Sequence, residues 1–289
     1  MAMKNLEMLP EDCLYTILSL TSPLDAFRLS SVSSSLRSAA DSDSVWDGFL
    51  PPDYKEIVAK SVAAAEFSSK KDLFVRLCNS ILIDDGKKSF ALEKSSGLKS
   101  YMLSAKELSI LYGDASEHWT WKSIPQSRFS EAAELKMICR LEIEGKVKRG
   151  ILSPNTNYGV YLVMNISDGA FGLDSRPCET SIKVGDRGAA ATGIAYLQTA
   201  AAGAEERRPS AVYRNGGGVE MVKPQGVEGG ERRQSRERSD GWMEVEIGEF
   251  FNGEEDDGDE EITMSLSEVK GCHVKGGLIV QGIEIRPKF

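Results

Sequence analysis

The chain lacks the usual signs of a metal, redox, membrane or nucleic-acid protein. Its five cysteines, Cys13, Cys78, Cys139, Cys178 and Cys272, are odd in number and widely scattered. With no C-x-x-C pair, they indicate neither a zinc site nor a redox motif, and no cofactor is expected. No stretch approaches the ~18 consecutive apolar residues a membrane helix needs. Positive charge is in deficit, 35 Lys and Arg against 44 Asp and Glu for a net charge of −9, which works against nucleic-acid and anionic-membrane partners. The one basic cluster, Glu231-Arg232-Arg233-Gln234-Ser235-Arg236-Glu237-Arg238, is interleaved with acids and reads as a solvated loop, not an RNA-binding or import patch. With no signal-like N-terminus, the thiols are expected reduced and the protein cytoplasmic and/or nuclear. The sequon Asn165-Ile166-Ser167 would then go unglycosylated.

What is present is an ordinary globular composition, 41% hydrophobic and 27% charged over 289 residues, enough for one or two domains. The densest information lies between residues 8 and 50. Leu14, Ile17 and Leu18 fall at i, i+3, i+4, one stripe of a helix. Ser22 is placed to cap the next helix, with Pro23 in its first turn and Asp25 complementing its N-terminus. That helix carries Leu24, Phe27, Leu29, Val32 and Leu36, apolar on more than one side. A unit below about 40 residues rarely folds without a staple. A second surface must cover these residues, either the rest of the chain or another protein.

The order of these residues, Leu9-Pro10-Glu11-Asp12, then Ile17-Leu18, Ser22-Pro23-Leu24-Asp25, Leu29-Ser30-Ser31-Val32 and Val45-Trp46, resembles an F-box. In that family the helices dock on a Skp-type adaptor, and through it on a cullin. The resemblance implies Leu9, Pro10, Ile17, Leu18, Pro23, Leu24, Leu29, Val32 and Trp46 as adaptor contacts. Ser33 stands where Cys is usual and Leu36 where Trp is usual, which predicts a smaller contact area. The competing reading is an N-terminal helical cap packed on its own domain.

Residues 1–50 are thus taken as the F-box, ended by Pro51-Pro52-Asp53-Tyr54. Residues 51–98 are expected to form a helical connector, with helices near 54–65 and from Ser68 or Ser69 through Ile81, ended by Asp84-Asp85-Gly86. From about Lys99 the period changes to two. Leu108, Ile110 and Tyr112 alternate, as do Leu141, Ile143 and Val147, and later Met243, Val245 and Ile247, then Ile262, Met264 and Leu266. Tyr158 to Met164 is continuously apolar, and Leu278 to Ile285 closes the series. Short strands with Gly, Pro and Asn turns predict an antiparallel β-sandwich over 99–289, so an α+β chain. Residues 189–240, rich in Ala, Gly, Arg and Glu, are expected to be a long loop with little fixed structure. Residues 253–260 are read as a charged, solubilising hairpin tip.

Several segments of this half are similar to the phloem protein two family, the lectin-type domain also found in tobacco-agglutinin lectins. They are Tyr101-Met102-Leu103-Ser104-Ala105-Lys106-Glu107-Leu108, Trp119-Thr120-Trp121, Arg128-Phe129-Ser130-Glu131-Ala132-Ala133-Glu134-Leu135, Leu152-Ser153-Pro154-Asn155-Thr156, Asp240-Gly241-Trp242 with the strand after it, and 276–287. Joined to an F-box, the pattern resembles plant F-box proteins of the phloem-protein-two B class. The resemblance implies a jelly-roll-like sandwich and binding of N-acetylglucosamine-containing glycans. A sugar ring stacks on an aromatic face while polar groups grip its hydroxyls. In the lectin relatives two tryptophans seven residues apart flank a Gly-Asp turn; here the positions hold Tyr112 and Trp119, the candidate carbohydrate-binding residues. Trp119 is equally a core candidate, and Trp121 is assigned to the core.

A regular strand would place Trp242, Glu244 and Glu246 on one face, with the two acids read as solvated and a glycosidase pair disfavoured. Cys272-His273 is set aside as a nucleophile pair, because strand neighbours point to opposite faces. The function expected is a non-catalytic substrate-recognition subunit of a Skp–cullin–F-box ubiquitin ligase, capturing glycoprotein or protein targets. The alternative is a cytosolic or nuclear lectin with a vestigial F-box.

Overall fold

The structure is a computed structural model that describes residues 9–63, 67–174, 176–185, 188–197, 231–254, 259–268 and 273–289. Four short helices open it: α1 (Glu11–Ser19), α2 (Pro23–Leu29), α3 (Ser34–Ala40) and α4 (Asp43–Asp47). Serines set two of the starts. The Ser22 hydroxyl accepts from the amide of Asp25 at 3.1 Å, and that of Ser33 from Leu36 at 3.3 Å, each satisfying an otherwise unpaired helical donor. Trp46 is the centre of the unit. Its indole N–H donates to the Ala40 carbonyl at 2.7 Å, and its ring meets Phe27 at 4.7 Å, Phe74 at 5.2 Å and Phe49 at 5.5 Å.

Two further helices, α5 (Tyr54–Ala59) and α6 (Lys70–Leu77), follow, and then the connector departs from its expected course. Residues 81–92 are not helical. They form a hairpin of β1 (Ile81–Ile83) and β2 (Lys88–Leu92) that pairs onto β3 (Lys99–Ser104). The β-branched Ile81 and Ile83 suit a strand better than a helix, and the turn Asp84-Asp85-Gly86 takes positive φ at 51°, 56° and 77°. The sheet therefore begins some eighteen residues before the period change suggested.

The remaining strands are β4 (Ser109–Ile110), β5 (Trp119–Lys122), β6 (Ala132–Leu135), β7 (Leu141–Lys148), β8 (Thr156–Phe171), β9 (Cys178–Val184), β10 (Ala189–Tyr196), β11 (Glu231–Gln234), β12 (Arg236–Glu237), β13 (Met243–Asn252), β14 (Glu261–Glu268) and β15 (Gly276–Pro287). Among the described residues they make two sheets. The first runs β1-β2-β3-β15-β8-β13-β12, with β6 and β5 added at β15; the second runs β11-β10-β9-β14-β7-β4. Pairing is antiparallel except between β10 and β11. The inner faces interdigitate through Ile143, Ile182, Ile262, Met264 and Leu266 on one side and Val160, Leu162, Val245, Ile283 and Ile285 on the other, the expected α+β arrangement.

Three sequence readings need correction. The ends of 189–240 are strands β10, β11 and β12, because Arg233 crosses the glycine at 193 to donate to the Ile247 carbonyl at 2.7 Å; residues 198–230 lie outside the described residues, as do 255–258 of the acidic tip. The alternation Leu108, Ile110, Tyr112 yields only the two-residue β4, flanked by a 3-10 turn and by Tyr112 at φ 57°. Glu244 is not solvated. It is 3% exposed, beneath arginines on the outer face of the first sheet. That face is also covered by Trp242, Phe129, Met102 and Val163, a second apolar cluster. Cover on both faces explains why 158–164 reads as a continuous apolar run.

The helical unit and the sandwich share one core. Phe74 of α6 packs on Trp46, and the buried cluster continues through Leu77, Phe90, Leu92 and Tyr101 into the sandwich. Lys99, 6% exposed, bonds Asp53 at 2.9 Å, while Lys70 and Lys71 pair with Asp47 and Asp41.

Candidate functional sites

The helical unit divides its apolar residues sharply. Leu14 and Leu18 point inward at 1% and 0% exposure, whereas Ile17 on the same helix is open at 38%. Leu9, Leu24 and Val32 are open at 37%, 37% and 46%, and Pro10 is exposed beside them. Leu29 is half-buried against the core. Of the nine residues read as adaptor contacts, Leu18, Pro23 and Trp46 are buried in the unit's own core and offer no outward face. The reason is geometric: i, i+3 and i+4 span one broad stripe, and its edge, Ile17, faces away from its centre.

The two departures from the F-box pattern lie in different surroundings. Ser33 caps α3 and stays half-exposed, whereas Leu36 is buried at 3% exposure and offers no outward surface. A residue that pattern reading missed is Leu20, open at 82%. It lies three residues after Ile17, and that spacing was the available signal. On these short helices the open side chains are apolar surface that the sandwich leaves uncovered.

At the other candidate site Trp119 is corrected. Its ring is 2% exposed, and a ring so covered presents no face to a sugar. Its indole N–H donates to the Leu111 carbonyl at 3.1 Å. The next residue, Tyr112, is 58% exposed and sits against His118 with ring centroids 5.2 Å apart. His118 in turn donates from Nδ1 to the Met137 carbonyl at 2.9 Å. The turn is closed by Gly113 and Ala115, whose amides donate to Ile110 and Tyr112 carbonyls at 2.9 Å. Tyr112 is thus an open aromatic ring on a braced loop, with Trp119 as the brace. Trp121, half-buried, lies under Lys106 at 5.6 Å and packs at the edge of the core.

The acids near Trp242 form an ion-pair network. Glu244 accepts from Arg236 at 2.8 Å, Arg238 at 2.5 Å and Arg286 at 2.6 Å; Glu284 accepts from Arg128 at 3.1 Å and Arg238 at 2.7 Å. Burial alone would raise the Glu244 carboxyl, but hydrogen bonds from Arg286 and Arg236 and the charge of Arg238 outweigh it and hold the pKa at about 2. The same balance lowers Glu284, again against burial. A carboxyl held ionised this firmly is not the proton donor that glycoside hydrolysis needs. Burial pushes the Cys178 thiol up to about 12, far from a reactive thiolate. Among the described residues no cluster of His, Cys, Asp and Glu is placed to hold a metal ion, and no helix is long and apolar enough to cross a membrane.

A capped helical unit with an open apolar face, fused through a common core to an antiparallel sandwich, defines the F-box proteins that carry a second, lectin-type module. Residues 6–48 match the F-box domain and residues 98–287 match Phloem protein 2. Over 285 residues the chain is 47% identical to "F-box protein PP2-B15" of Arabidopsis thaliana, covering 97% of this chain and 96% of that one. It is 45% identical to "F-box protein VBF" of the same plant, covering 97% and 99%, and 45% identical to "F-box protein PP2-B13", covering 97% and 98%. The chain belongs to the F-box phloem protein 2 family.

Proposed function

We propose that the protein is the substrate-recognition subunit of a Skp–cullin–F-box ubiquitin ligase. The observation that carries this reading is the set of open apolar side chains Leu9, Ile17, Leu20, Leu24 and Val32 on a helical unit whose core is filled by other residues and by the sandwich. Several large apolar side chains left open on one small helical unit suit an interaction site, and a Skp-type adaptor is the partner suited to an F-box. The chain supplies no chemistry. It raises the effective concentration of target lysines near a recruited conjugating enzyme. The shared core supports this role, since a rigid joint between anchor and sandwich holds the target at a constant distance. The family character fits a cytoplasmic and/or nuclear setting.

The sandwich captures the target, and we read the Tyr112 loop as its glycan contact, with N-acetylglucosamine-containing chains on a glycoprotein as ligand. The open ring of Tyr112 supports this, since an aromatic face binds a pyranose with little loss of entropy. Changing Leu9, Pro10 and Ile17 together to Ala is expected to abolish co-purification with the adaptor while the melting temperature holds. Undiminished adaptor capture by that triple variant would remove the ligase assignment and leave a lectin with a vestigial F-box.

A further inference from the structure

Between the connector helices and the edge of the first sheet lies a hollow that shares no residue with the open face of the helical unit or with the Tyr112 loop. Its apolar walls are Val58 of α5, Leu77 of α6, Ile81 and Leu82 of β1, and Val62 and Phe67 from the chain between the two helices. It encloses about 320 Å³, near the lower end of the range for small-molecule sites. The core behind it is closely filled, with Leu73, Phe74 and Leu77 each at 5% exposure or less, whereas Val62 is 59% exposed and marks the open side.

Arg76 is the only charged side chain among the described residues that line the hollow. Its guanidinium lies over the Phe67 ring at 5.7 Å and meets Asp72 loosely, Nε to Oδ1 at 3.5 Å. Asp72 does not depend on that contact, since its other oxygen accepts from the amide and the hydroxyl of Ser68 at 3.2 and 3.3 Å. A pair this long and this open to water contributes little, so Arg76 turns to a better anion at small cost.

The surroundings select a small molecule over a polypeptide. The outer edge of β1 is already taken, because the Val62 amide donates to the Leu82 carbonyl at 3.0 Å and the Asp84 amide to the Lys60 carbonyl at 3.2 Å. Ser61 is bridged to Ile83 between them. No further strand adds at that edge, and a helix about 10 Å across is too wide for the hollow.

An apolar body replaces water against the valine, leucine and isoleucine walls. Covering Arg76 with apolar atoms alone would strip its hydration without compensation. A carboxylate compensates, because its two oxygens match the guanidinium fork. One cation calls for one negative charge, and the net charge of −9 works against a dianion.

We propose that this hollow binds a small monocarboxylic acid with an apolar body, its carboxylate on Arg76 and its body against Val58, Val62, Leu77 and Leu82. Connector helices and sheet edge both supply walls, so the ligand stiffens the joint between the helical unit and the sandwich.

The test is nuclear magnetic resonance on the full chain with labelled isoleucine, leucine and valine methyls, since Val58, Val62, Leu77, Ile81 and Leu82 then report on the hollow directly. Cyclohexanecarboxylate is the probe, cyclohexanecarboxamide its neutral counterpart, and acetate the counterpart without an apolar body. The acid is expected to shift these methyls and to leave those of Ile17 and Leu24 unmoved. The amide is expected to bind about tenfold more weakly, the size of one hydrogen bond to a charged group, and acetate to shift nothing. Arg76→Gln is expected to erase the preference for the acid while the amide still binds. Val62→Glu, which sets a carboxylate at the open side, is expected to abolish binding of the acid. Both positions are exposed, so melting temperatures are expected to hold. Unmoved methyls in the hollow, equal affinity for acid and amide, a preference that survives Arg76→Gln, or undiminished acid binding by Val62→Glu each overturns the proposal. Shifts at these methyls on raising protein concentration without any acid would make the hollow a contact between copies, which also overturns it.

Discussion

The indole N–H of Trp119 is bonded to the carbonyl of Leu111 at 3.1 Å, and the residue beyond that carbonyl, Tyr112, holds the open ring. A buried tryptophan thereby sets the position of an exposed tyrosine seven residues before it. Replacing Trp119 by Phe keeps the apolar bulk and removes the donor. We expect a loss of about 1 kcal/mol of stability, the net value of one hydrogen bond, read from urea midpoints. Sugar affinity should fall less than in Tyr112→Ala, because the platform is loosened but still present. A sugar affinity that falls further than in Tyr112→Ala would return the contact role to Trp119.

Ile17 and Leu18 are neighbours with opposite assignments. Leu18→Ala opens a cavity under a fully buried side chain and is expected to cost about 2–5 kcal/mol. Ile17→Ala alters an open position and should leave the denaturation midpoint within about 0.5 kcal/mol of the original. The order reverses for the adaptor, whose binding Ile17→Ala weakens directly. Denaturation curves beside adaptor titrations separate the two effects.

Glu244 should make the fold sensitive to acid. Its folded pKa is held at about 2, against about 4.3 for an unperturbed glutamate. A depressed carboxylate stabilises the native state above the unfolded value, and that contribution fades as pH falls from about 4.3 towards 2. Glu284, lowered for the same reason, acts in the same direction. Urea midpoints are expected to fall between about pH 6 and about pH 3, and to fall less in Glu244→Gln, which starts lower because three arginines lose their common anion. An equal fall in both proteins would show that this carboxyl is not responsible.

Phe74 belongs to α6 yet completes the packing around Trp46. Phe74→Ala is expected to cost about 3–5 kcal/mol and to reduce adaptor binding without touching the adaptor surface. A single cooperative transition should report the loss in both halves, followed by tryptophan fluorescence and by far-ultraviolet dichroism. Two separated transitions would mean the shared core does not couple the halves.

Much of the architecture was legible beforehand. The caps at Ser22 and the alternation of 243–247 and 262–266 needed only local periodicity, and both elements formed as read. The connector was not, because Phe90 and Leu92 reveal themselves as strand residues only by pairing with Tyr101 and Lys99. Glu244 was misread because its arginine partners come from other strands, 236 and 238 on one side and 286 on the other. Similarity placed Tyr112 and Trp119 in one candidate site without showing that one ring is open and the other covered.

The amino-acid order alone determined that a short helical unit precedes a two-period, strand-rich domain, since capping residues and hydrophobic spacing act over a few neighbours. Only the tertiary structure decided which edge of each apolar stripe faces solvent, because a helix buries whichever side its partners cover. It likewise decided that Ser265, Glu144 and Ser181 stand in one row, for strands distant in sequence are brought into register by the closing of the sheet.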